Sequence, residues 1–228
     1  MMFYGFEYMI YIIPGLLLAM YAQAKVKSAF STYSQEASGL NKPAYLFARE
    51  ILDKNHLSHV AVEPVRGSLT DHYDPRTKVL RLSETVYNSS SVAAISVTTH
   101  EIGHALQDDL GYAPLRLRSI LVPAANLGSN LAFPLIIVGF IFGEFFTKLG
   151  ISLFMVAVLF QLVTLPVEFN ASNRAKDILS SGYLPQSKQG GVNKVLNAAA
   201  LTYVASLAAA IGTLLRLMAI AGYGRRRD

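Results

Sequence analysis

His100-Glu101-Ile102-Gly103-His104 is the short run in this chain whose residue types and spacing suit one chemistry. On a helix, residues four apart share a face, so the two imidazoles can meet one ion while Glu101, roughly 100° round, points beside it. Two neutral imidazoles and one further protein ligand leave a zinc ion an open position for water, whose pKa the metal lowers towards about 7. Glu101 is the residue placed to take that water's proton and pass it to a leaving amine. Gly103 costs a helix roughly 1 kcal/mol against Ala, and a close backbone approach near the metal would explain it. The competing reading is a pair of histidines on a solvated helix face.

The third ligand has few candidates. His56 and His59 flank a turn and read as exposed; Asp108 and Asp109 are too near in sequence to fold back onto the same ion and read as helix-end solvation. Glu168 follows a long uncharged stretch in Leu165-Pro166-Val167-Glu168-Phe169-Asn170, where it serves either as the third ligand or as a marker of the membrane interface. His72 and Tyr73 are candidates for a hydrogen bond to the reaction's oxyanion, although Asp71 and Asp74 beside them fit a plain polar turn equally well. The strand Val79 to Leu82 either pairs its edge with an extended peptide or is simply structural.

The elements that must position these groups follow from the pattern of the chain. Asn41 as cap and Pro43 in the first turn predict a helix through Leu52. Val60, Val62 and Val65 suggest a strand, Gly67-Ser68 a break, and Asp74-Pro75-Arg76-Thr77 a turn before a second strand, which together predict a small antiparallel sheet. Ser90 or Ser91 caps a helix from Val92 through Gln107 that carries the histidine pair.

Hydrophobic residues make up 52% of the 228, and charged residues only 15%. Four stretches, Phe3 to Ala22, Ile120 to Gly143, Leu149 to Val167 and Val195 to Leu215, have the length of about 20 residues that crosses a bilayer as a helix. The first predicts a retained anchor, followed by a polar linker from Lys25 to Gly39. The second and third, separated by Glu144 to Lys148, predict an antiparallel transmembrane hairpin that returns Glu168 to the face of the histidine helix. Lys25, Lys27, Arg116, Arg118, Arg174, Lys176, Lys188 and Lys194 on that face outnumber Lys148 and Arg225 to Arg227 on the other, which favours a cytoplasmic catalytic region. No cysteine is present, which excludes disulfides, thiolate metal sites and thiol nucleophiles. A net charge of +5 without an interleaved basic and aromatic patch gives no support for nucleic-acid binding.

Several runs carry a resemblance over nearly the whole chain: Leu69 to Pro75, Lys78 to Ser83, Val86-Tyr87, His100 to Gln107 and Pro166 to Ser172. They resemble the YugP-like family of membrane zinc metallopeptidases, itself similar to the gluzincin class that includes the HtpX-type membrane proteases. The resemblance implies zinc on His100, His104 and Glu168, with Glu101 as general base. The family usually shows Asp where this chain has Asn170, so no role that needs a negative charge carries over to that position.

The expectation is an α+β membrane protein, mainly helical, with about four transmembrane helices and a zincin-like soluble domain of a small antiparallel sheet plus the active-site helix. Its parts are an anchor (1–22), a metallopeptidase region (23–119), a transmembrane hairpin (120–167), a third-ligand helix and loop (168–194), and a C-terminal span with a basic tail (195–228). The expected activity is hydrolysis of polypeptide segments, unfolded or membrane-associated, by a multi-pass protein of a prokaryotic plasma membrane. Two other readings are a non-catalytic scaffold tied together by zinc, and a zinc hydrolase of lipids or small amides. Glu101 argues against the scaffold, because a structural site has no use for a carboxylate beside its first ligand.

Overall fold

The computed structural model describes residues 7–224. A 3₁₀ turn (Glu7–Tyr11) leads into helices α1 (Ile13–Ser34) and α2 (Ala44–Lys54), then strands β1 (Ala61–Val65), β2 (His72–Asp74) and β3 (Val79–Ser83). Helices α3 (Glu84–Tyr87), α4 (Val92–Asp109), α5 (Ala113–Phe142), α6 (Glu144–Ile178) and α7 (Gln186–Gly224) complete the order. They fall into two compact units. One contains the chain up to Gln23, Arg116–Pro166 and the chain from Thr202; the other contains Ala24–Leu115 and Val167–Leu201.

The first unit is apolar helix. Ala113–Phe142, Glu144–Tyr183 and Gln186–Gly222 are long and apolar enough to cross a membrane. Within the unit α5 and α6 run antiparallel. A Cβ added at Gly128 would collide with the Leu153 carbonyl oxygen, and one at Gly150 would lie 2.7 Å from that of Ala132. At Gly139 the added carbon would meet the Thr147 hydroxyl and backbone. Small residues let helix backbones approach where lipid supplies no hydrophobic drive. The expected connection from Glu144 to Lys148 is already helical. Gly143 alone turns the chain, at φ +111°, a left-handed conformation that glycine adopts without a Cβ penalty.

The expected anchor from Phe3 to Ala22 is described only from Glu7 onward. Its first residues lie outside the described ones, and α1 is not among the three helices that qualify as spans among the described residues. Instead α1 continues to Ser34 through Lys25 and Lys27, where a polar linker was expected. Lys, Ala, Ser and Gln are tolerable helix residues, and no glycine or proline lies between Gly15 and Gly39.

The second unit holds a mixed sheet rather than a purely antiparallel one. Its order is β1-β3-β2, with β1 parallel and β2 antiparallel to β3. Pro64 has no N–H to give a central ladder, which suits β1 to an edge. Arg81 of β3 faces Glu63 in register on β1 and also reaches Asp74 of β2. Phe47, Ile51 and Leu52 of α2, Leu80 and Leu82 of β3, and Ile95 and Ile102 of α4 are fully buried together with Leu179 and Leu196. Each such side chain contributes about 1.5–3 kcal/mol relative to exposure. Helix α2 begins at Ala44 after Pro43, with no side-chain cap, so Asn41 does not cap it.

Candidate metal centre

Helix α4 starts where the sequence places it. Ser91 accepts a hydrogen bond from the Ala94 amide at 3.2 Å, and the Val92 amide donates to the Glu36 carbonyl at 2.8 Å. These contacts satisfy two donors that the first turn of a helix leaves without partners. Two turns later His100 and His104 project from one face, with ring centroids 4.8 Å apart and planes at 87°.

Glu168 of α6 meets them. Its Oε2 lies 3.2 Å from His100 Nε2 and 3.4 Å from His104 Nε2. One donor atom from each of the three residues falls within 4.8 Å of the others. Gly103 makes this meeting possible: a Cβ there would sit 2.7 Å from the Ala171 carbonyl oxygen and 3.1 Å from Ala171 Cα. The α4 and α6 backbones therefore touch one turn from the ligand atoms.

The other ring nitrogens are engaged. His100 Nδ1 lies 3.2 Å from Ser172 Oγ, and His104 Nδ1 lies 2.9 Å from Gln107 Oε1. With each Nδ1 engaged, both Nε2 atoms face the Glu168 carboxylate, and imidazole metal ligands are commonly steadied by such a partner on the nitrogen that does not meet the ion. Glu168 is 2% exposed. A buried carboxylate facing two imidazoles is stabilised by a shared cation, and this donor set suits zinc. On donor chemistry and burial, the three residues fit a zinc ion.

Glu101 is buried beside them, and its Oε2 accepts the Tyr73 amide hydrogen at 2.9 Å. The Tyr73 hydroxyl donates to Asp108 Oδ2 at 2.7 Å, where Lys78 also pairs. One residue of β2 thus grips α4 at positions 101 and 108. Burial, reinforced by the bond to Asp108, pushes the Tyr73 hydroxyl far above its ordinary value. That hydroxyl is committed, and Asp108, expected to be solvated at the helix end, instead fastens the sheet to the helix.

His72 does not join the cluster. Its ring is exposed, with Nδ1 2.8 Å from the Thr70 carbonyl. His56 and His59 are exposed as well. Strand β3, considered for peptide pairing, has neighbours on both sides and offers no free edge; the edges belong to β1 and β2. Gln107, Ser172 and the Tyr73 amide are the partners sequence reasoning missed. Two had a readable signal, because Gln107 lies three residues after His104 and Ser172 four after Glu168, on the faces of their helices that carry the ligands.

A family model described as "Putative neutral zinc metallopeptidase" matches residues 8–222. A protein of Bacillus subtilis (strain 168) named "Putative membrane protease YugP" is 50% identical over 215 residues, which cover 93% of this chain and 96% of that protein. No solved structure matches the chain.

Proposed function

The chain belongs to this neutral zinc metallopeptidase family, and from that premise we propose that it is an integral-membrane zinc endopeptidase acting on extended polypeptide segments. The observation that carries the reading is the convergence of His100, His104 and Glu168 donor atoms within 4.8 Å, with a buried carboxylate on the residue that follows the first histidine. In this proposal those three residues hold the ion. Zinc bound there supplies Lewis acidity, activating a water and polarising the scissile carbonyl.

Glu101 is the general base. Its Oε2 is held by the Tyr73 amide, so the proton from the attacking water goes to Oε1 and from there to the amine that leaves. A main-chain N–H is a donor that no rotamer change can withdraw, which keeps the carboxylate aimed. Of the two β2 candidates for the oxyanion, the Tyr73 hydroxyl is taken by Asp108 and His72 is exposed and bonded to Thr70, so the oxyanion is assigned to neither. The three apolar helices fix the protein in the bilayer, and the excess of Lys and Arg on the side of the metallopeptidase region turns that region to the cytoplasm.

The test is zinc analysis and casein hydrolysis with the purified full chain in detergent. Wild type should carry about one zinc per chain. Glu101→Gln should keep the zinc and lose on the order of 10²–10⁴-fold in kcat, while Glu168→Ala should lose the metal. Full hydrolysis by Glu101→Gln would refute the mechanism.

A further inference from the structure

Two turns of α4 separate Glu101 from Asp108, about 10 Å along the axis and on nearly the same face. Both carboxylates meet one residue of β2. The Tyr73 amide donates to Glu101 Oε2 at 2.9 Å, and the Tyr73 hydroxyl donates to Asp108 Oδ2 at 2.7 Å. The tyrosine thus lies along the helix with its main chain at one carboxylate and its oxygen at the other. Strand β2 is three residues long, His72–Asp74, and a strand of that length has few ladder bonds with which to fix its own place. Its other tethers point elsewhere. Asp71 accepts from the Ser83 amide and hydroxyl at 2.7 and 2.9 Å, and Asp74 accepts from the Arg76 amide and the Thr77 hydroxyl at 2.9 and 2.7 Å. Those bonds hold β2 to β3 and to the turn between them, and none of them reaches α4. Lys78 completes the arrangement: at φ +55° it takes a left-handed conformation that residues other than glycine seldom adopt, and its ammonium pairs with Asp108.

We infer that Asp108 is a positioning residue for Glu101: by holding the hydroxyl of Tyr73, and being held itself by Lys78, it keeps the residue-73 amide opposite the acid two turns away on the same helix. Both bonds are directional without ambiguity, since an amide N–H and a phenol donate and an ionised carboxylate accepts. Without the bond at Asp108, β2 follows the sheet and is free to shift along α4, and the amide shifts with it. A displacement near 1 Å is enough to misalign a reacting group. The consequence for turnover rests on the reading of Glu101 as general base; the hold on the amide does not.

Hydrogen exchange at the residue-73 amide, followed by ¹⁵N NMR on the full chain in detergent, reads the hold directly. Zinc content with kcat and KM on casein reads its consequence. Three variants separate positioning from a mere staple between sheet and helix. Asp108→Ala removes the acceptor, Asp108→Asn keeps an oxygen for the Tyr73 hydroxyl, and Tyr73→Phe keeps the amide and loses the hydroxyl. In Asp108→Ala and Tyr73→Phe the residue-73 amide should exchange about tenfold faster relative to the amides of β3. Their kcat should fall on the order of 10–10²-fold, with KM and zinc per chain within about twofold of wild type. Asp108→Asn should stay within about threefold of wild type in both exchange and kcat. A tie that serves stability alone would lower the unfolding temperature of Asp108→Ala and leave both its residue-73 exchange and its kcat per zinc-loaded chain unchanged, and that result would overturn the inference. Asp108→Asn as damaging as Asp108→Ala would overturn it too. If Asp108→Ala does not fold, Tyr73→Phe decides by the same two readings. A wild type that hydrolyses nothing would sink the function proposed above, and the exchange rates would still decide Asp108.

Discussion

Gly103 and Gly150 meet the same obstacle in different surroundings. In each case an added Cβ would lie 2.7 Å from a carbonyl oxygen of a neighbouring helix, that of Ala171 for the first and that of Ala132 for the second. Around Gly150 the next neighbour is the Ile136 side chain, and close approach serves packing alone. Around Gly103 the neighbours in sequence and space are His100, His104 and Glu168, so the same approach delivers a carboxylate to two imidazoles. Helix contact is thus one device with two uses, and the side chains flanking the glycine decide which.

Breaking the two crossings alike should therefore give unlike results. Gly103→Ala is expected to have the largest effect: it overpacks the crossing at a cost of about 1–3 kcal/mol, and a ligand shift near 1 Å lowers the turnover rate by on the order of 10². Zinc content and casein turnover together would show it. Gly150→Ala should cost a comparable 1–3 kcal/mol, seen as a lower unfolding temperature in detergent, with about one zinc per chain kept. Loss of zinc in Gly150→Ala, or its retention at full activity in Gly103→Ala, would erase the distinction.

Asp71 sharpens the comparison from the sheet side. Burial raises its pKa above the ordinary value, two bonds from Ser83 oppose the rise, and the Glu101 charge adds to it. A carboxyl whose folded pKa is raised contributes stability that is complete below its unfolded pKa, near 4, and disappears as pH climbs through the folded value. Asp71→Asn keeps groups able to bond Ser83 and carries no charge to bury. Its unfolding temperature relative to wild type should rise between pH 4 and pH 7; a difference that stays flat or falls would contradict this account. The smallest effect is expected at His72, exposed and bonded to Thr70. His72→Ala should change kcat by less than about fivefold, whereas a loss on the order of 10² with zinc intact would establish it as the oxyanion donor.

The convergence of side chains was legible where its spacing is local. His100, Glu101 and His104 follow from one helical turn, and Glu168 from a hairpin that had to bring the chain back. The Ser91 cap and the reason for Gly103 were equally readable, because each depends on what one residue type can or cannot do. What escaped depends on partners distant in sequence. The parallel pairing of β1 with β3 skips the intervening strand, and no alternation of hydrophobic residues encodes that. The single-residue turn at Gly143 was hidden because Phe145 and Phe146 look no different in a loop or in a helix. Asp108 was taken for a solvated helix end, since nothing near it in sequence announces that Tyr73 and Lys78 will arrive from β2 and its turn. The extension of α1 through Lys25 and Lys27 was missed because charge was read as an end to helix, when it marks only an end to apolar surface.

The hydrogen that secures Glu101 comes from the peptide unit of residue 73, and this limits what replacement studies can detect. Alanine, phenylalanine or any other ordinary substitute at that position retains the same amide, so a scan of side chains would score the position for its grip on Asp108 and pass over its hold on the carboxylate. Proline is the one genetically encoded residue that lacks the N–H, and an ester in place of the amide would delete it without altering the side chain. The atom that aims this carboxylate is therefore invisible to an alanine library and accessible to backbone chemistry.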